Sequence, residues 1–264
     1  MEHPLLTILV LMAGRGTRTK ELNNLLPKPL LQIHGIKMIE WVISNFQLQC
    51  PHEFIFVVQK KDSIDFQLKS YFHSLNITHK VVELDGPNEG AVLSALSAES
   101  WLKGELLILN SDQYVNMDMN LYIDKARHSL CDGMILTMKQ SGPKWSYIKL
   151  DENKNVIEVA EKKEISDIAT VGAYWFKNGK DFVDAARAMV SRNDRVNNEF
   201  YIAPTYNYLI EKNKIIKNLA IEEFNATFYG LGTTEDIKSF SENKFSLQLA
   251  NQIRNHKCHE NNIA

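Results

Sequence analysis

The sequence predicts an α/β fold with a Rossmann-like, mixed and mainly parallel sheet, helices on both faces and an antiparallel lobe. In the first half of the chain, apolar runs rich in β-branched residues alternate with amphipathic stretches, as in a parallel sheet covered by helices. In the second half, strand-like runs follow one another through tight turns, which favours antiparallel pairing. The chain has 264 residues, of which 44% are hydrophobic, enough for one large core.

The first half of the chain contains the strands and helices of the predicted parallel sheet. The first run, from Thr7, is continuously apolar, as expected of a strand buried on both faces. In the first helix, Met38, Ile39 and Val42 fall on one face. The predicted strands are Thr7–Met12, Glu53–Val58, Lys80–Glu83, Glu105–Asn110 and Gly133–Met138. The predicted helices are Ile36–Asn45, Ser63–Leu75 and Gly90–Trp101.

The second half of the chain has a different pattern of strands and turns. Its strands are joined by turns such as Asp151–Asn155, and Pro204 suits the first turn of a helix. The predicted elements are the strands Ser146–Leu150, Val156–Ala160 and Thr170–Phe176 and the helices Phe182–Val190 and Ala203–Glu211. We expect one domain over residues 1–240. Residues 241–264 are predicted to form a helical extension or a small contact between copies of the chain.

Composition and charge exclude several classes of protein. The net charge of −2 gives no overall field that would attract nucleic acid or an anionic membrane. No apolar run is long enough to span a bilayer, so no membrane insertion is expected. The cysteines Cys50, Cys131 and Cys258 have no CxxC spacing, which indicates neither a zinc site nor a disulfide framework. With no signal peptide before the first strand, these features predict a cytoplasmic protein.

A glycine-rich turn after the first strand is the most informative motif. It consists of Met12, Ala13, Gly14, Arg15, Gly16, Thr17 and Arg18. Glycines let a backbone approach a ligand and point N–H groups at it, and Lys28 in the following Pro27-Lys28-Pro29 adds a cation on a constrained backbone. The spacing fits neither a P-loop nor a dinucleotide-binding fingerprint. It suits a nucleoside triphosphate, which needs cations and N–H donors held in place.

These motifs resemble those of the sugar-1-phosphate nucleotidylyltransferase superfamily. Such enzymes join an NTP to a phosphorylated sugar or small alcohol and release pyrophosphate. The resemblance covers residues 5–240, and the Met12-Ala13-Gly14 turn is similar to a subgroup for capsule and surface-polysaccharide synthesis. It implies a nucleotide part over residues 1–140 and an acceptor-binding lobe over residues 141–240. It also implies Mg²⁺ as cofactor and an NTP and a phosphorylated small molecule as partners.

The resemblance assigns a metal-binding role to Asp112, which follows a predicted buried strand. Mg²⁺ prefers hard oxygen ligands and is often held by one or two carboxylates and phosphate oxygens. The family usually has a second aspartate before a Gly-Thr, and here Gly230 stands at that place, before Gly232. Either Glu235 or Asp236 replaces it, or Asp112 holds the metal with water and phosphates alone.

The resemblance also implies residues for the nucleobase and for the acceptor. Glu89 and Gly90 open a predicted helix, and Glu89 would accept from an exocyclic amine, which favours CTP slightly; it is equally typical of a helix N-terminus. Glu161 and Lys162 match a Glu-Lys pair that binds the acceptor's hydroxyls and phosphate. The segment with Asn198, Glu199 and Tyr201 resembles a second acceptor contact, although Tyr201 fits the core equally well.

The predicted reaction is attack of the acceptor phosphate on the α-phosphorus of the NTP. Arg18 and the Gly14–Gly16 amides would hold the β- and γ-phosphates, Lys28 the α-phosphate and Asp112 the metal. Two alternatives stay open. A glycosyltransferase with a similar fold would use a nucleotide sugar, but the chain lacks an Asp-x-Asp near residue 112. A nucleotide-binding regulator with weak activity is suggested by Gly230. A homo-oligomer is compatible with every one of these.

Overall fold

The structure is a computed structural model that describes residues 4–14 and 25–261, and it confirms the predicted mixed α/β fold. The strands are β1 (Leu6–Leu11), β2 (Gln32–Ile33), β3 (Ile36–Lys37), β4 (His52–Gln59), β5 (His79–Leu84), β6 (Glu105–Asn110), β7 (Gln113–Val115), β8 (Gly133–Lys139), β9 (Ser146–Leu150), β10 (Val156–Glu161), β11 (Ile168–Phe176), β12 (Ile216–Ala220) and β13 (Phe228–Gly230). The helices are α1 (Met38–Ser44), α2 (Lys60–Asp65), α3 (Leu68–His73), α4 (Ala91–Leu96), α5 (Met119–His128), α6 (Gly179–Ser191), α7 (Thr205–Ile210), α8 (Thr234–Glu242) and α9 (Lys244–Asn261).

Nine of the described strands form the central sheet, in the order β10-β9-β11-β6-β1-β4-β5, with β8 between β11 and β12. The block β6-β1-β4-β5 is parallel. Strand β11 is antiparallel to β6, β8 and β9, and β9 is antiparallel to β10. The antiparallel strands of the second half therefore extend the parallel block as one sheet.

Both faces of the sheet are buried, because alternate side chains of β1 enter different clusters. Leu6, Ile8 and Val10 pack in one cluster with α1, α3 and α5. Leu9 packs on the other face with α4, α6 and α7. This confirms helices on both faces and explains the continuously apolar strand sequences.

Two predicted helices are more broken than their apolar pattern indicates. The predicted helix Ser63–Leu75 is two helices, α2 and α3, because Gln67 between them has a left-handed φ of 50°. The predicted helix Gly90–Trp101 ends as α4 at Leu96 and is followed by a 3₁₀ turn, Glu99–Trp101. Apolar periodicity indicates the buried face of a segment but carries little information about breaks in its backbone.

Several elements were not predicted. Helix α5 begins after Asp118, whose side chain accepts from the backbone N–H of Asn120, a start signal that the sequence reading missed. The predicted helix Ile36–Asn45 begins only at Met38, because Ile36 belongs to the hairpin β2–β3. Strands β7 and β13 have three residues each and pair with one another. Such short strands depend on their partner and show no period in the sequence.

The C-terminal helices α8 and α9 pack against the hairpin β2–β3 and α1. His34 in the hairpin and the buried Ser246 in α9 are hydrogen-bonded at 2.9 Å. A third apolar cluster joins these elements, made of Leu31, Ile33, Ile36, Met38, Trp41, Tyr114, Leu231, Ile237, Phe240, Ala250 and Ile253. Among the described helices, none combines the length and apolar character required to cross a bilayer.

A buried ion pair lies at the amino ends of β1 and β6. Glu105, at the start of β6, receives hydrogen bonds from Arg127 of α5 at 2.9, 3.0 and 2.6 Å. The Trp175 indole of β11 also donates to Glu105, at 2.7 Å. The side chains of Glu105 and Arg127 are 4% and 11% exposed. This cluster fastens α5 to the sheet at the end opposite to the predicted site.

Candidate active site

The ends of β1 and β6 bring the glycine-rich turn and Asp112 to one edge of the sheet. The two strands are parallel neighbours with Leu11 opposite Asn110, so the residues that follow them lie side by side. This is the edge at which ligands bind in open α/β sheets. Among the predicted nucleotide contacts, Met12 and Ala13 are buried. Gly14 is exposed, with open space where a Cβ would lie.

The backbone of the turn is anchored on β4. Met12 N–H donates to the carbonyl of Val57 at 2.9 Å, and the Gln59 side chain donates to the carbonyl of Ala13 at 2.7 Å. The buried side chains of Met12 and Ala13 and these backbone contacts fix the start of the turn against the core. The predicted residues Arg15, Gly16, Thr17 and Arg18 lie outside the described residues.

Lys28 is held by a short 3₁₀ turn, Lys28–Leu30, that follows Pro27. Pro29 and Leu30 are buried, which anchors the turn. The Lys28 ammonium donates to Asp112 Oδ2 at 2.5 Å and to the carbonyl of Gly232 at 3.0 Å. The side chains of Lys28 and Asp112 are 12% and 27% exposed. The structure therefore joins two predicted catalytic residues that are 84 positions apart in the chain.

The strand pair β7–β13 brings the third segment into this site. Gly230 lies opposite Gln113, and Leu231 N–H donates to the carbonyl of Asp112 at 2.8 Å. A Cβ atom on Gly232 would lie 3.8 Å from Asp112 Oδ2, 3.9 Å from Lys28 Nζ and 3.6 Å from Asp236 Oδ2. The site thus contains a lysine, two carboxylates and a backbone carbonyl.

Asp236 is the second carboxylate at this site. The sequence analysis named it, together with Glu235, as a possible replacement for the missing metal-binding aspartate. Its Oδ2 accepts from the Thr233 backbone N–H at 3.1 Å, and Thr233 Oγ1 accepts from the Asp236 N–H at 3.1 Å. This capping box fixes the start of α8 and the position of the carboxylate. Glu235 is exposed.

The donor set fits a divalent ion that arrives with phosphate groups. Within residues 4–14 and 25–261, no three His, Cys, Asp or Glu side chains are grouped to hold a metal by themselves. Mg²⁺ commonly uses one or two carboxylates, waters and substrate phosphates instead of a complete protein cage. Asp112 and Asp236 match that requirement.

The predicted nucleobase loop is docked on the segment that precedes α7. Phe200 N–H donates to the carbonyl of Glu89 at 2.9 Å, and Val92 N–H donates to the carbonyl of Phe200 at 3.1 Å. Gly90 has a φ of 118°, and a Cβ there would lie 2.4 Å from Phe200 N and O, so glycine is required. The Glu89 carboxylate pairs with Arg195 at 2.9 Å.

Three of the predicted acceptor residues, Lys162, Glu199 and Tyr201, lie in one hydrogen-bonded network, and Glu161 interacts electrostatically with Lys162 and Glu199. Ser146 donates to Glu161, and the Lys162 ammonium donates to the Tyr201 hydroxyl. The Tyr201 hydroxyl donates to Glu199 at 2.8 Å, and the ammonium lies 4.5 Å from the centre of the Tyr201 ring. Tyr201 is half-buried, and its hydroxyl belongs to this network, so it is not a core residue.

Burial raises the pKa of Glu161, and the neighbouring Glu199 carboxylate raises it further, whereas the Ser146 hydrogen bond and Lys162 oppose this shift. Asn198, the fifth predicted residue, is exposed and has a left-handed φ of 63°. Its carbonyl accepts from Arg195 at 3.3 Å. These residues form a charged and polar surface.

Gly172 and Arg195 were missed by the sequence reading. Gly172 has a φ of 82°, and a Cβ there would lie 2.3 Å from the side chains of Asn110 and Gln113, which flank Asp112. A glycine inside a strand is a signal for such a close approach. Arg195 had no comparable signal, because its contacts depend on the conformation of the loop around it.

Comparisons with known proteins show the family to which the chain belongs. A family model described as nucleotidyl transferase matches residues 7–218. The bifunctional protein GlmU of Methanococcus aeolicus is 26% identical over 175 residues, 64% of this chain and 40% of that protein. D-glycero-alpha-D-manno-heptose 1-phosphate guanylyltransferase of Campylobacter jejuni is 25% identical over 158 residues, 58% of this chain and 67% of that protein. The chain thus spans less than half the length of its GlmU relative.

A solved structure shares the fold. The nucleoside-diphosphate-sugar pyrophosphorylase from Vibrio cholerae RC9 superimposes with a TM-score of 0.77 at 24% identity. The match covers 89% of this chain and 100% of that chain. The similarity therefore extends from the parallel block into the antiparallel strands.

Proposed function

The chain belongs to the nucleotidyl transferase family, and we propose that it couples an NTP to a phosphorylated sugar or another small phosphorylated metabolite, with release of pyrophosphate. The observation that carries this proposal is the contact of Lys28 with Asp112 at 2.5 Å. Asp112 follows β6, whose carboxyl end lies beside that of β1, the strand that precedes the glycine-rich turn.

The reaction is an in-line substitution at the α-phosphorus of the NTP. An oxygen of the acceptor phosphate forms the new P–O bond, the bond between the α-phosphorus and its bridging oxygen breaks, and pyrophosphate leaves with the electron pair. The acceptor phosphate is already ionised, so no general base is required. Lys28 neutralises charge on the α-phosphate, and the Gly14 turn orients the triphosphate, so that rate enhancement comes from positioning and charge stabilisation.

We propose Mg²⁺ as the cofactor, with Asp112 and Asp236 as the protein groups that would hold it. When bound, the ion supplies charge neutralisation and orientation of the phosphate oxygens. In the structure, the Lys28 ammonium donates to Asp112. When an NTP binds, its phosphate oxygens would accept some of the hydrogen bonds that this ammonium donates.

The choice of nucleotide depends on Glu89. A carboxylate accepts from the exocyclic amine of cytosine or guanine, and uracil offers none there. We therefore expect an NTP whose base carries such an amine in preference to UTP, with CTP slightly favoured. The acceptor network of Glu161, Lys162 and Tyr201 suits hydroxyl groups and a phosphate. We propose that the chain supplies precursors for capsule or surface-polysaccharide synthesis and that it acts in the cytoplasm.

A regulator with weak activity is the alternative that one observation favours, since Gly230 replaces the expected second aspartate. The test is a screen for pyrophosphate release. The chain is incubated with Mg²⁺, each of ATP, CTP, GTP, UTP and dTTP, and a panel of sugar 1-phosphates and phosphorylated alcohols. We expect release that requires one NTP and one acceptor together. NTP binding without release for any acceptor would favour the regulator.

A further inference from the structure

Arg195 lies between the predicted nucleobase loop and the predicted acceptor segment, and it contacts both. Its NH1 atom is 2.9 Å from Glu89 Oε2. Its Nε donates to Asn193 Oδ1 at 2.6 Å, and NH1 donates to the carbonyl of Asn198 at 3.3 Å. The guanidinium carbon lies 4.2 Å from the centre of the Phe200 ring, in cation–π range.

The turn that Arg195 supports has a demanding conformation. Asn197 and Asn198 are both left-handed, with φ of 49° and 63°. Val196 and Glu199 exchange backbone hydrogen bonds of 3.0 Å across the turn. Consecutive left-handed residues are costly even for asparagine, so the turn relies on bonds around it. The hydrogen bond from Arg195 to Asn198 is one of these, and Glu199 extends directly from the turn.

The ion pair of Arg195 with Glu89 contributes little to overall stability, because the two side chains are 27% and 63% exposed. Its consequence is geometric. It fixes the direction of the Glu89 carboxylate, and it links that carboxylate to the turn that carries Glu199. Phe200 completes this connection, because its backbone is hydrogen-bonded to the backbones of Glu89 and Val92.

We propose that Arg195 is a positioning residue that couples the two substrate subsites, so that a bound NTP orders the acceptor segment. The inference rests on the proposed function. Binding of a nucleobase at Glu89 immobilises the 87–90 loop, Arg195 transmits this to residues 195–199, and Glu199 and Tyr201 are then held for the acceptor.

Arg192 provides a matched control three residues away. It pairs with Glu211 at 2.8 Å and lies 4.8 Å from the centre of the Tyr208 ring, so it has the same kinds of contact as Arg195. It contacts neither subsite in these interactions. The test therefore compares the parent chain, Arg195→Gln and Arg192→Gln.

The experiment measures hydrogen–deuterium exchange with and without a mixture of ATP, CTP, GTP, UTP and dTTP in the presence of Mg²⁺. In the parent and in Arg192→Gln, we expect the mixture to slow exchange by about threefold or more in peptides covering residues 86–92 and 195–201. In Arg195→Gln, we expect slowing at 86–92 to remain and slowing at 195–201 to disappear.

A second measurement uses the NTP and acceptor found by the pyrophosphate screen. Arg195→Gln should raise KM for both substrates by about tenfold and leave kcat within about twofold, since the residue acts on binding geometry. Lys162→Ala should raise only the acceptor KM. A merely structural role would instead reduce the amount of active enzyme at unchanged KM values.

The outcomes separate this inference from the proposed function. Equal slowing at 195–201 in Arg195→Gln and the parent, or a rise in only one KM, would overturn the coupling and leave the function standing. If the nucleotide mixture slows exchange in no peptide of the parent chain, the proposed function is overturned, and this inference with it.

Discussion

Lys28 has an ammonium group that is mostly removed from solvent and bonded to one carboxylate and one carbonyl. Such a cation is already oriented before a substrate arrives, and its charge acts with little screening by water. Lys28→Ala should therefore lower turnover by about a hundredfold or more while the fold persists, because Pro29 and Leu30, and not Lys28, are the buried residues of its 3₁₀ turn. Circular dichroism and steady-state pyrophosphate release are the measurements.

Lys60 is the control for that variant. It is an exposed lysine, paired with Asp85 at 2.9 Å on the surface. Lys60→Ala should leave turnover within about twofold of the parent, as expected for a screened surface pair. Comparable turnover in Lys28→Ala and Lys60→Ala would remove Lys28 from the mechanism.

Gly230 is the residue at which this chain departs from the expected aspartate. A Cβ there would meet nothing closer than Phe228 Cε1 at 3.4 Å, and Asp236 Oδ2 would be 3.8 Å away. Gly230→Asp should fit and add a carboxylate to the site, raising Mn²⁺ affinity in the presence of NTP by about tenfold. Electron paramagnetic resonance of free Mn²⁺ measures this.

Two further variants serve as controls for the Mn²⁺ experiment. Asp112→Asn keeps the size of the side chain but drops the charge, and should abolish the metal dependence of NTP binding. Gly104→Asp adds the same charge at the opposite end of β6 and should change nothing at the site. If Gly230→Asp and Gly104→Asp bind Mn²⁺ equally, the metal is held elsewhere.

Lys162 makes its observed contacts with Tyr201, in the predicted acceptor network. Lys162→Ala should raise the acceptor KM by an amount that corresponds to about 1.5–3 kcal/mol, the range for hydrogen bonds to charged groups, and leave NTP affinity unchanged. Lys163→Ala, at the exposed neighbouring position, should affect neither. Loss of NTP affinity in Lys162→Ala at an unchanged acceptor KM would reverse the assignment of the two subsites.

At the scale of elements, the buried pair of Glu105 and Arg127 joins α5 to the sheet. Arg127→Met leaves the Glu105 carboxylate buried, with Trp175 as its remaining observed donor. The expected loss in the free energy of unfolding is about 3–5 kcal/mol, the cost of breaking a buried pair from one side. Urea unfolding measures it.

The matched exposed pair is Arg187 and Glu99, whose side chains are 64% and 40% exposed. Arg187→Met should cost about 1 kcal/mol or less. Glu105→Gln combined with Arg127→Met should recover part of the loss, since no unpaired charge is then buried. Equal losses for Arg127→Met and Arg187→Met would show that burial of the pair is unimportant.

The longer strands could be predicted from the sequence, and the shortest elements could not. Glu105–Asn110 and Ser146–Leu150 were predicted with the boundaries that the structure shows, because burial dictates their apolar pattern. Strands β7 and β13 depend on pairing between distant segments, so no local pattern indicates them. The pairing of β7 with β13 brings Gly232 to Lys28. The contact between Gly232 and Lys28 could therefore not be predicted from the sequence.

At the scale of the whole molecule, the fold class followed from alternating elements, and the placement of Gly14 and Asp112 at one edge of the sheet followed from the parallel strands β1 and β6. The carbonyl of Gly232 and the bridging role of Arg195 did not, because a backbone acceptor has no side-chain signature and a loop's conformation is set by tertiary contacts. The C-terminal helices are part of the same assembly, since Leu31, Tyr114 and Leu231 pack with them just behind the site.

The central claim is that the acceptor phosphate attacks the α-phosphorus of an NTP. The most direct measurement incubates the chain, Mg²⁺ and the acceptor from the screen with the NTP labelled either in the α-phosphate or in the γ-phosphate. We expect the α-label to appear in the acceptor product and the γ-label in pyrophosphate. Transfer of γ-label to the acceptor, or α-label that never leaves the nucleotide pool for the product, would contradict it.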